Sequence, residues 1–529
     1  MHLSIGLHVV MLLAGLSLAS RPSLNTDQDY RDDYYDFEDN NAAANTTCQL
    51  GRRCWRTISD KPVKERRFMS IGCPRRAGLR YAAGKVYVIL VSPTSFEDVR
   101  IKLEPEDLDS SVRRLIGAGF NVSQNSVMYA HGWTGGPKEE WGRKVRRRYA
   151  SVFARRCAPT YNLLFLDYTQ DAWLPYRRSV AKLPALGALL ANFLDALRPH
   201  GCLMDSFHIL GFSLSAHLVG IAGLMLRELN NPIRQITGLD PAGPCFFRDT
   251  PFSHEYTLGP DAAKLVVARH YGYNKLGAHA LVGGLDILVN GGKNQPADFR
   301  SAGGYAKFKM IYGASDHMAA VYHESGGVTS ATCYDVAYKC ANYTDFLDGA
   351  CARCARGEEN HCYTIGTLIN GANRAPMPNY ERDTRMFIKM GGKRYCLHHY
   401  QLVVQLRPGG APIRLLRSAL DKAKLKVRLS SSRSLAVAPK RMLTCANAIV
   451  YTALVTSETP LEPLMNVSVA IDSKLGATDE LKGVASIRLN YMSHPSVSAR
   501  RARSMTFCQS PVEPTSFTSC ELETRGLAC

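Results

Sequence analysis

The sequence predicts an α/β domain with a mainly parallel sheet, followed by an all-β sandwich. From Val86, short apolar runs alternate with helix-like segments, the pattern of a parallel sheet covered on both faces. After about Thr384 the pattern shortens to the two-residue alternation of antiparallel strands. A length of 529 residues accommodates roughly three domains. Hydrophobic residues at 46% and charged residues at 21% exclude a globally disordered or collagen-like chain.

Met1 to Ser20 carries an apolar core, Val9 to Leu18, that runs into small residues, with Ser17 and Ala19 placed as in a signal peptidase site. The expected divisions are a signal peptide at 1–20, an acidic disordered tail at 21–47, an α/β domain at 48–383 and the sandwich at 384–529. Secretion makes the 16 cysteines disulfide candidates and the sequons at Asn45, Asn121, Asn342 and Asn466 glycan acceptors. In the tail, Asp27 to Asp39 holds seven acids and one Arg without apolar periodicity. The predicted strands of the first domain are Val86–Val91, Ser126–Ala130, Asn162–Tyr168, Phe207–Phe212 and Gln235–Asp240, with a helix over Val180–Leu197. No run after the signal is expected to span a bilayer.

The informative segment is Phe207 to Gly220, FHILGFSLSAHLVG. An apolar strand, a serine between small residues and a helix-like run make a nucleophile elbow, in which Gly211 and Ser215 flank Ser213. The helix start behind Ser213 offers backbone N–H groups to developing negative charge. A serine nucleophile needs a His base and an orienting acid, in the order Ser, Asp, His for a sheet hydrolase. Asp240 lies 27 residues on, in GLDPAGPCF, and His317 a further 77, in GASDHMAAVYHES. Taken singly, Asp240 reads equally as a turn residue and His317 as a surface His; the joint order favours the triad. The oxyanion donors are expected at the N–H groups of Leu214 and of Trp133, the latter in YAHGWTGG.

These motifs make the chain resemble the pancreatic lipase family of secreted lipases and phospholipases A1, over about Cys48 to Cys529. The family's oxyanion strand corresponds to His131-Gly132-Trp133, its elbow to Gly211–His217, its acid turn to Gly238–Pro244 and its histidine motif to Ser315–Ala320. The resemblance implies an α/β-hydrolase catalytic domain and a PLAT-like sandwich that docks partners and lipid surfaces. It also implies bridges between Cys48 and Cys54, Cys340 and Cys351, and Cys354 and Cys362, with Cys529 joined to Cys508 or Cys520. Half a zinc site is the competing reading of Cys351 and Cys354.

Several departures are informative. The family's lid disulfide is lost, with Asp298 and Ser315 at its cysteine positions. The lid itself shortens to Phe299–Ala314, where Phe299, Tyr305, Phe308 and Ile311 stand among three basic residues. By resemblance, this short lid and the short stretch His270–Gly284 imply phospholipase A1 rather than triacylglycerol activity. The family's structural calcium site keeps only Asp261, with Gly259 in place of an acidic ligand, so no metal and no cofactor is expected. The formal charge of +19 favours anionic partners: lipid or membrane surfaces, or heparin-like glycans through Arg143–Arg148, and no nucleic acid once the chain is secreted. Arg500–Arg503, RRAR, has the form of a proprotein-convertase site. The expected activity is hydrolysis of lipid acyl esters by Ser213, Asp240 and His317. The alternative is a catalytically silent lipid- or receptor-binding glycoprotein on the same scaffold.

Overall fold

A computed structural model describes residues 46–47, 55–56 and, from residue 83, the chain except 92–97, 139–141, 144, 148–160, 248–255, 274, 297–313, 328–332, 355–357, 366–379, 382, 393–395, 407–423, 431–433, 438, 440, 446–447, 462–465, 473–483, 495, 510–515 and 520–529. The signal peptide, residues 21–45 of the acidic tail, Asn45, Cys48, Cys54, Cys520, Cys529 and the lid residues Phe299, Tyr305, Phe308 and Ile311 lie outside the described residues.

A short antiparallel pair, β1 (Thr46–Thr47) and β2 (Trp55–Arg56), precedes the first domain. That domain is built on β3 (Tyr87–Val91), β4 (Asp98–Lys102), β5 (Asn125–Ala130), β6 (Tyr161–Asp167), β7 (Phe207–Phe212), β8 (Gln235–Leu239), β9 (Leu265–His270), β10 (Leu285–Val289), β11 (Val336–Lys339), β12 (Cys362–Thr364) and β13 (Thr384–Ile388). They form one sheet in the order β12-β11-β13-β10-β9-β8-β7-β5-β6-β3-β4. The run from β13 to β6 is parallel, and the flanking strands are antiparallel. The helices are α1 (Leu108–Gly117), α2 (Tyr176–Asp195), α3 (Leu214–Glu228) and α4 (Ala314–Gly327).

Alternate strand residues feed two separate cores, so both faces are covered. Met128, Leu164, Ile209 and Ile236 pack under α2 and α3, while Val127, Leu163, Leu210 and Leu239 pack under α4. This two-sided burial explains why the strands read as unbroken apolar runs. The span Tyr176–His200 is, contrary to the sequence expectation, long and apolar enough to cross a membrane, but 67% of its most apolar window is buried inside the fold.

The second domain carries β14 (His398–Leu406), β15 (Lys424–Ser430), β16 (Ser434–Val437), β17 (Arg441–Cys445), β18 (Ala448–Ser457), β19 (Asn466–Asp472), β20 (Val484–Tyr491), β21 (Met505–Gln509), β22 (Ser516–Ser519) and helix α5 (Val497–Ala502). All nine strands pair antiparallel in one sheet. Leu425, Leu429 and Val467 share a buried cluster with Leu402, Ile449 and Ile487, so the sheet folds over on itself to enclose one core.

Two further sequence expectations need correction. Thr384 does not open the second domain: β13 pairs with β10 and β11, and the junction lies between Ile388 and His398. The pattern misleads because β13 has the length and alternation of a sandwich strand while sitting in the first sheet. Arg500–Arg503 falls mainly in helix α5, where Arg500 is 1% exposed and donates to the carbonyls of His494 (2.6 Å) and Cys354 (2.9 Å). Arg503 stacks over Tyr491 at 3.9 Å, so neither arginine is presented as a protease site requires. Cys340–Cys351 and Cys354–Cys362 are disulfides, the pairing the resemblance implies, so the competing half zinc site at Cys351 and Cys354 is excluded. A further bridge, Cys333–Cys396, ties the start of β11 to the start of β14. Cys245 and Cys508 each belong to a further disulfide, and Cys202 is a buried free thiol. Of the sequons, Asn121 is exposed, while the Asn342 side chain caps the short helix Tyr343–Leu347 by accepting from the Asp345 N–H at 2.8 Å.

Candidate active site

β7 ends at Phe212, α3 begins at Leu214, and Ser213 makes the whole turn between them. Its backbone sits at φ 56°, ψ −117°, a region a non-glycine residue occupies only under strain. The surroundings hold it there. The Ser213 N–H donates to the Leu239 carbonyl at 3.0 Å, and the Ser213 carbonyl accepts from Ala216 (3.1 Å) and Ala242 (3.2 Å). Gly211 is required because a Cβ there would lie 2.6 Å from the Ser215 carbonyl oxygen. Ser215, where glycine would be the simplest choice, is accommodated because its hydroxyl donates to the Ala130 carbonyl at 2.7 Å and sits 2.9 Å from that of Phe212.

The three expected side chains meet in one hydrogen-bonded chain. Ser213 Oγ lies 2.7 Å from His317 Nε2, and His317 Nδ1 lies 2.6 Å from Asp240 Oδ2. Asp240 directly follows β8 with φ 43° and is wholly buried. Its carboxylate accepts from the N–H groups of Tyr271 (2.7 Å) and Gly272 (3.1 Å), donors that no sequence motif announced. Ser213 and His317 keep 8% and 7% of their surface open, so the nucleophile and base are reachable while the acid is sealed. Phe212 supports the imidazole, its ring 4.8 Å from that of His317.

His317 rides on the first turn of α4, and its neighbour Asp316 anchors that turn. The Asp316 carboxylate is bonded to Lys275 and accepts the Gln295 N–H at 2.8 Å. An acid in the first turn also complements the helix dipole.

The loop after β5 that carries His131, Gly132 and Trp133 passes directly over the elbow: a Cβ on Gly132 would lie 3.1 Å from Ser213 Cβ. Gly132 therefore cannot be exchanged without displacing the nucleophile. Its carbonyl is fixed by His131 Nδ1 at 3.0 Å and by the Gly135 N–H at 3.1 Å. His131 Nε2 faces the Tyr168 N–H, a donor only, so the ring proton belongs on Nδ1. Burial pushes the His131 pKa down to about 4, which keeps the ring neutral at neutral pH. In a trans peptide the N–H points opposite to the carbonyl, so the Trp133 N–H is held away from His131. Leu214, the first residue of α3, has an N–H with no partner inside its helix.

The calcium expectation can be examined at Asp261. Its carboxylate and its carbonyl both accept from Arg227, at 3.0 and 3.2 Å. No group of three His, Cys, Asp or Glu converges among the described residues. A guanidinium takes the oxygens a hard cation would need, so these residues do not fit calcium. In the basic cluster, Arg146 is bonded to Asp98 and donates to the Pro137 carbonyl, while Arg143 and Arg147 are exposed.

A family model described as Lipase matches residues 94–394. Phospholipase A1 member A from Bos taurus is 32% identical over 317 residues, 60% of this chain and 64% of its own length. Lipase member H from Rattus norvegicus is 28% identical over 286 residues, 53% of this chain and 59% of its own. The chain thus spans less than two thirds of the curated relatives it matches. A solved lipase/esterase from Lactobacillus plantarum overlaps 39% of this chain and 80% of its own at a TM-score of 0.20 and 12% identity, too loosely to argue from.

Proposed function

The chain belongs to the lipase family, whose model matches more than half of it, and we propose that it is a secreted serine hydrolase of lipid acyl esters. The observation that carries this reading is the unbroken Ser213–His317–Asp240 hydrogen-bond chain on a strained strand-to-helix turn.

Ser213 Oγ attacks the ester carbonyl carbon while His317 Nε2 takes its proton, and Asp240 stabilises the imidazolium. The oxyanion accepts hydrogen bonds from the Leu214 and Trp133 N–H groups. The carbon–oxygen bond to the leaving alcohol then breaks, and His317 returns the proton to that alcohol. Water attacks the acyl-enzyme with His317 as base, which frees the fatty acid and restores the Ser213 hydroxyl. Preference for phospholipid sn-1 esters over triacylglycerol is supported by the short Phe299–Ala314 segment and by the likeness to a relative named as a phospholipase A1. A lipid or membrane surface is the partner this substrate class demands. In this reading the second domain is PLAT-like and docks on that surface, and exposed basic residues contact anionic headgroups or heparin-like glycans.

The test is labelling of the folded, secreted protein with a fluorophosphonate beside Ser213→Ala. Labelling of the wild type alone is expected, with ester turnover in the variant lower by about 10⁴-fold or more. An unlabelled, folded wild type would point instead to the catalytically silent scaffold. Turnover of sn-1-labelled phosphatidylcholine and of triolein in mixed micelles then checks the substrate preference.

A further inference from the structure

Behind the triad lies a second buried polar cluster that the reaction just described does not use. Arg269, in β9, pairs with Glu324 of α4, and the two side chains are 2% and 3% exposed. Tyr271, two residues further along, lies with its hydroxyl 2.6 Å from His323 Nδ1, and His323 Nε2 is 3.0 Å from Asp335 Oδ2. Residues two apart in an extended strand share a face, which is why Arg269 and Tyr271 both reach α4. Glu324 follows His317 by seven residues, two helical turns, and so lies on the same side of α4.

The backbones of these two β9-side residues hold the acid. The Arg269 carbonyl accepts the Asp240 N–H at 2.8 Å, and the Tyr271 N–H donates to Asp240 Oδ1 at 2.7 Å. Each residue thus grips Asp240 with its main chain and the helix that carries His317 with its side chain. We propose that Arg269 and Tyr271, with Glu324, His323 and Asp335, are positioning residues that set the Asp240–His317 contact.

A stabilising role alone does not account for the cluster. A buried ion pair is weak evidence for stability, since apolar residues of similar volume often replace one without loss. Here Asp335 Oδ1, Arg269 Nε and the nearby Tyr129 hydroxyl have no hydrogen-bond partner among the described residues, which adds to the cost of burial. What the pair and the relay add is direction: two independent links forbid α4 to slide or roll on β9.

This role rests on the hydrolase reading above, and the test keeps the two apart. Tyr271→Phe retains the ring and the backbone donor; Glu324→Gln retains the shape and loses the charge. Both are made in the full-length protein and assayed on p-nitrophenyl butyrate, with Tm measured in parallel. A fall in kcat of about 10- to 100-fold at unchanged KM is expected, with a matching loss in the rate of fluorophosphonate labelling and a Tm for Tyr271→Phe close to that of the wild type. A wild type that turns over ester beside a Tyr271→Phe variant of full kcat overturns the positioning role alone. So does a loss that only tracks the folded fraction. A wild type inert to both ester and fluorophosphonate overturns the hydrolase reading and this role with it.

Discussion

Ser215 and Gly211 show how few side chains the elbow accepts. The Ser215 hydroxyl is buried against two main-chain carbonyls, so it works as a tether between α3 and β5 as well as a small residue. Ser215→Ala removes that tether and should cost about 1 kcal/mol, seen as a fall in Tm of about 2–4 °C. An unchanged Tm would mean that glycine-like size is all the position needs. Gly211→Ala meets a harder limit, because its new Cβ would sit 2.6 Å from a main-chain oxygen and 2.8 Å from Ala216 Cα. Neither atom is the movable end of a side chain, so overpacking of about 1–3 kcal/mol is expected, with loss of fluorophosphonate labelling as the elbow shifts. Full labelling at wild-type Tm would refute that. At this scale the sequence is most legible: Ser213 stands in an elbow motif, and the order Ser213, Asp240, His317 singles out its two partners. The Tyr271 and Gly272 donors and the Arg269–Glu324 pair were hidden, because their meaning arises only when β9, β8 and α4 come together.

Central strands are legible from their unbroken apolar runs, whereas the sheet that a short alternating strand joins is not. Phe207–Phe212 is β7 to the residue, since a fully buried strand running into a glycine and a helix has no competing reading. β13 was assigned to the wrong domain because five alternating residues do not say which sheet they join. Cys333–Cys396 was missed for the same reason, as it spans 63 residues and both sides of the domain junction. By loop-closure entropy a bridge of that span stabilises by about 4 kcal/mol. Cys333→Ser with Cys396→Ser should therefore lower the urea midpoint markedly, and an unchanged midpoint would show the bridge to be redundant with the contacts of the junction. Those contacts include Gln401 Nε2 to the Gly349 carbonyl and Thr452 Oγ1 to the Asp348 carbonyl, both 2.7 Å. Helix α5 belongs to the same seam through Arg500. A protease selective for Arg-x-x-Arg should leave the native chain whole at Arg503 and cut it once urea opens the seam. A clean native cut, read on a reducing gel, would contradict the buried placement.

The molecule as a whole carries an acid sensitivity that comes from its buried histidines. Burial pushes His131 and His399 down to about 4, and His208 and His217 down to about 3, from an ordinary 6.5. All four fold as neutral rings because burial penalises the charged form by more than hydrogen bonds such as His217 to the Ala242 carbonyl favour it. In the unfolded chain each takes up a proton near pH 6.5, whereas in the folded chain it does so only near pH 3 to 4. Between those limits the unfolded state binds more protons, so stability is fully present above pH 6.5 and is lost as pH falls. Each ring contributes at most about 1.4 kcal/mol per pH unit, and the four together roughly 5. Near pH 4, His131 and His399 begin to protonate in the folded state and their share levels off. The high positive charge pushes in the same direction, since acid only adds to self-repulsion. His399 gives the loss a location: it bonds Ser493 at 3.0 Å and packs near Tyr338 and Phe346 of the first domain, so the junction is one of the places that acid loosens. Urea midpoints at pH 7.5, 6.0 and 5.0 should fall in that order, and a midpoint that stays level down to pH 5.0 would mean that these rings are not held neutral.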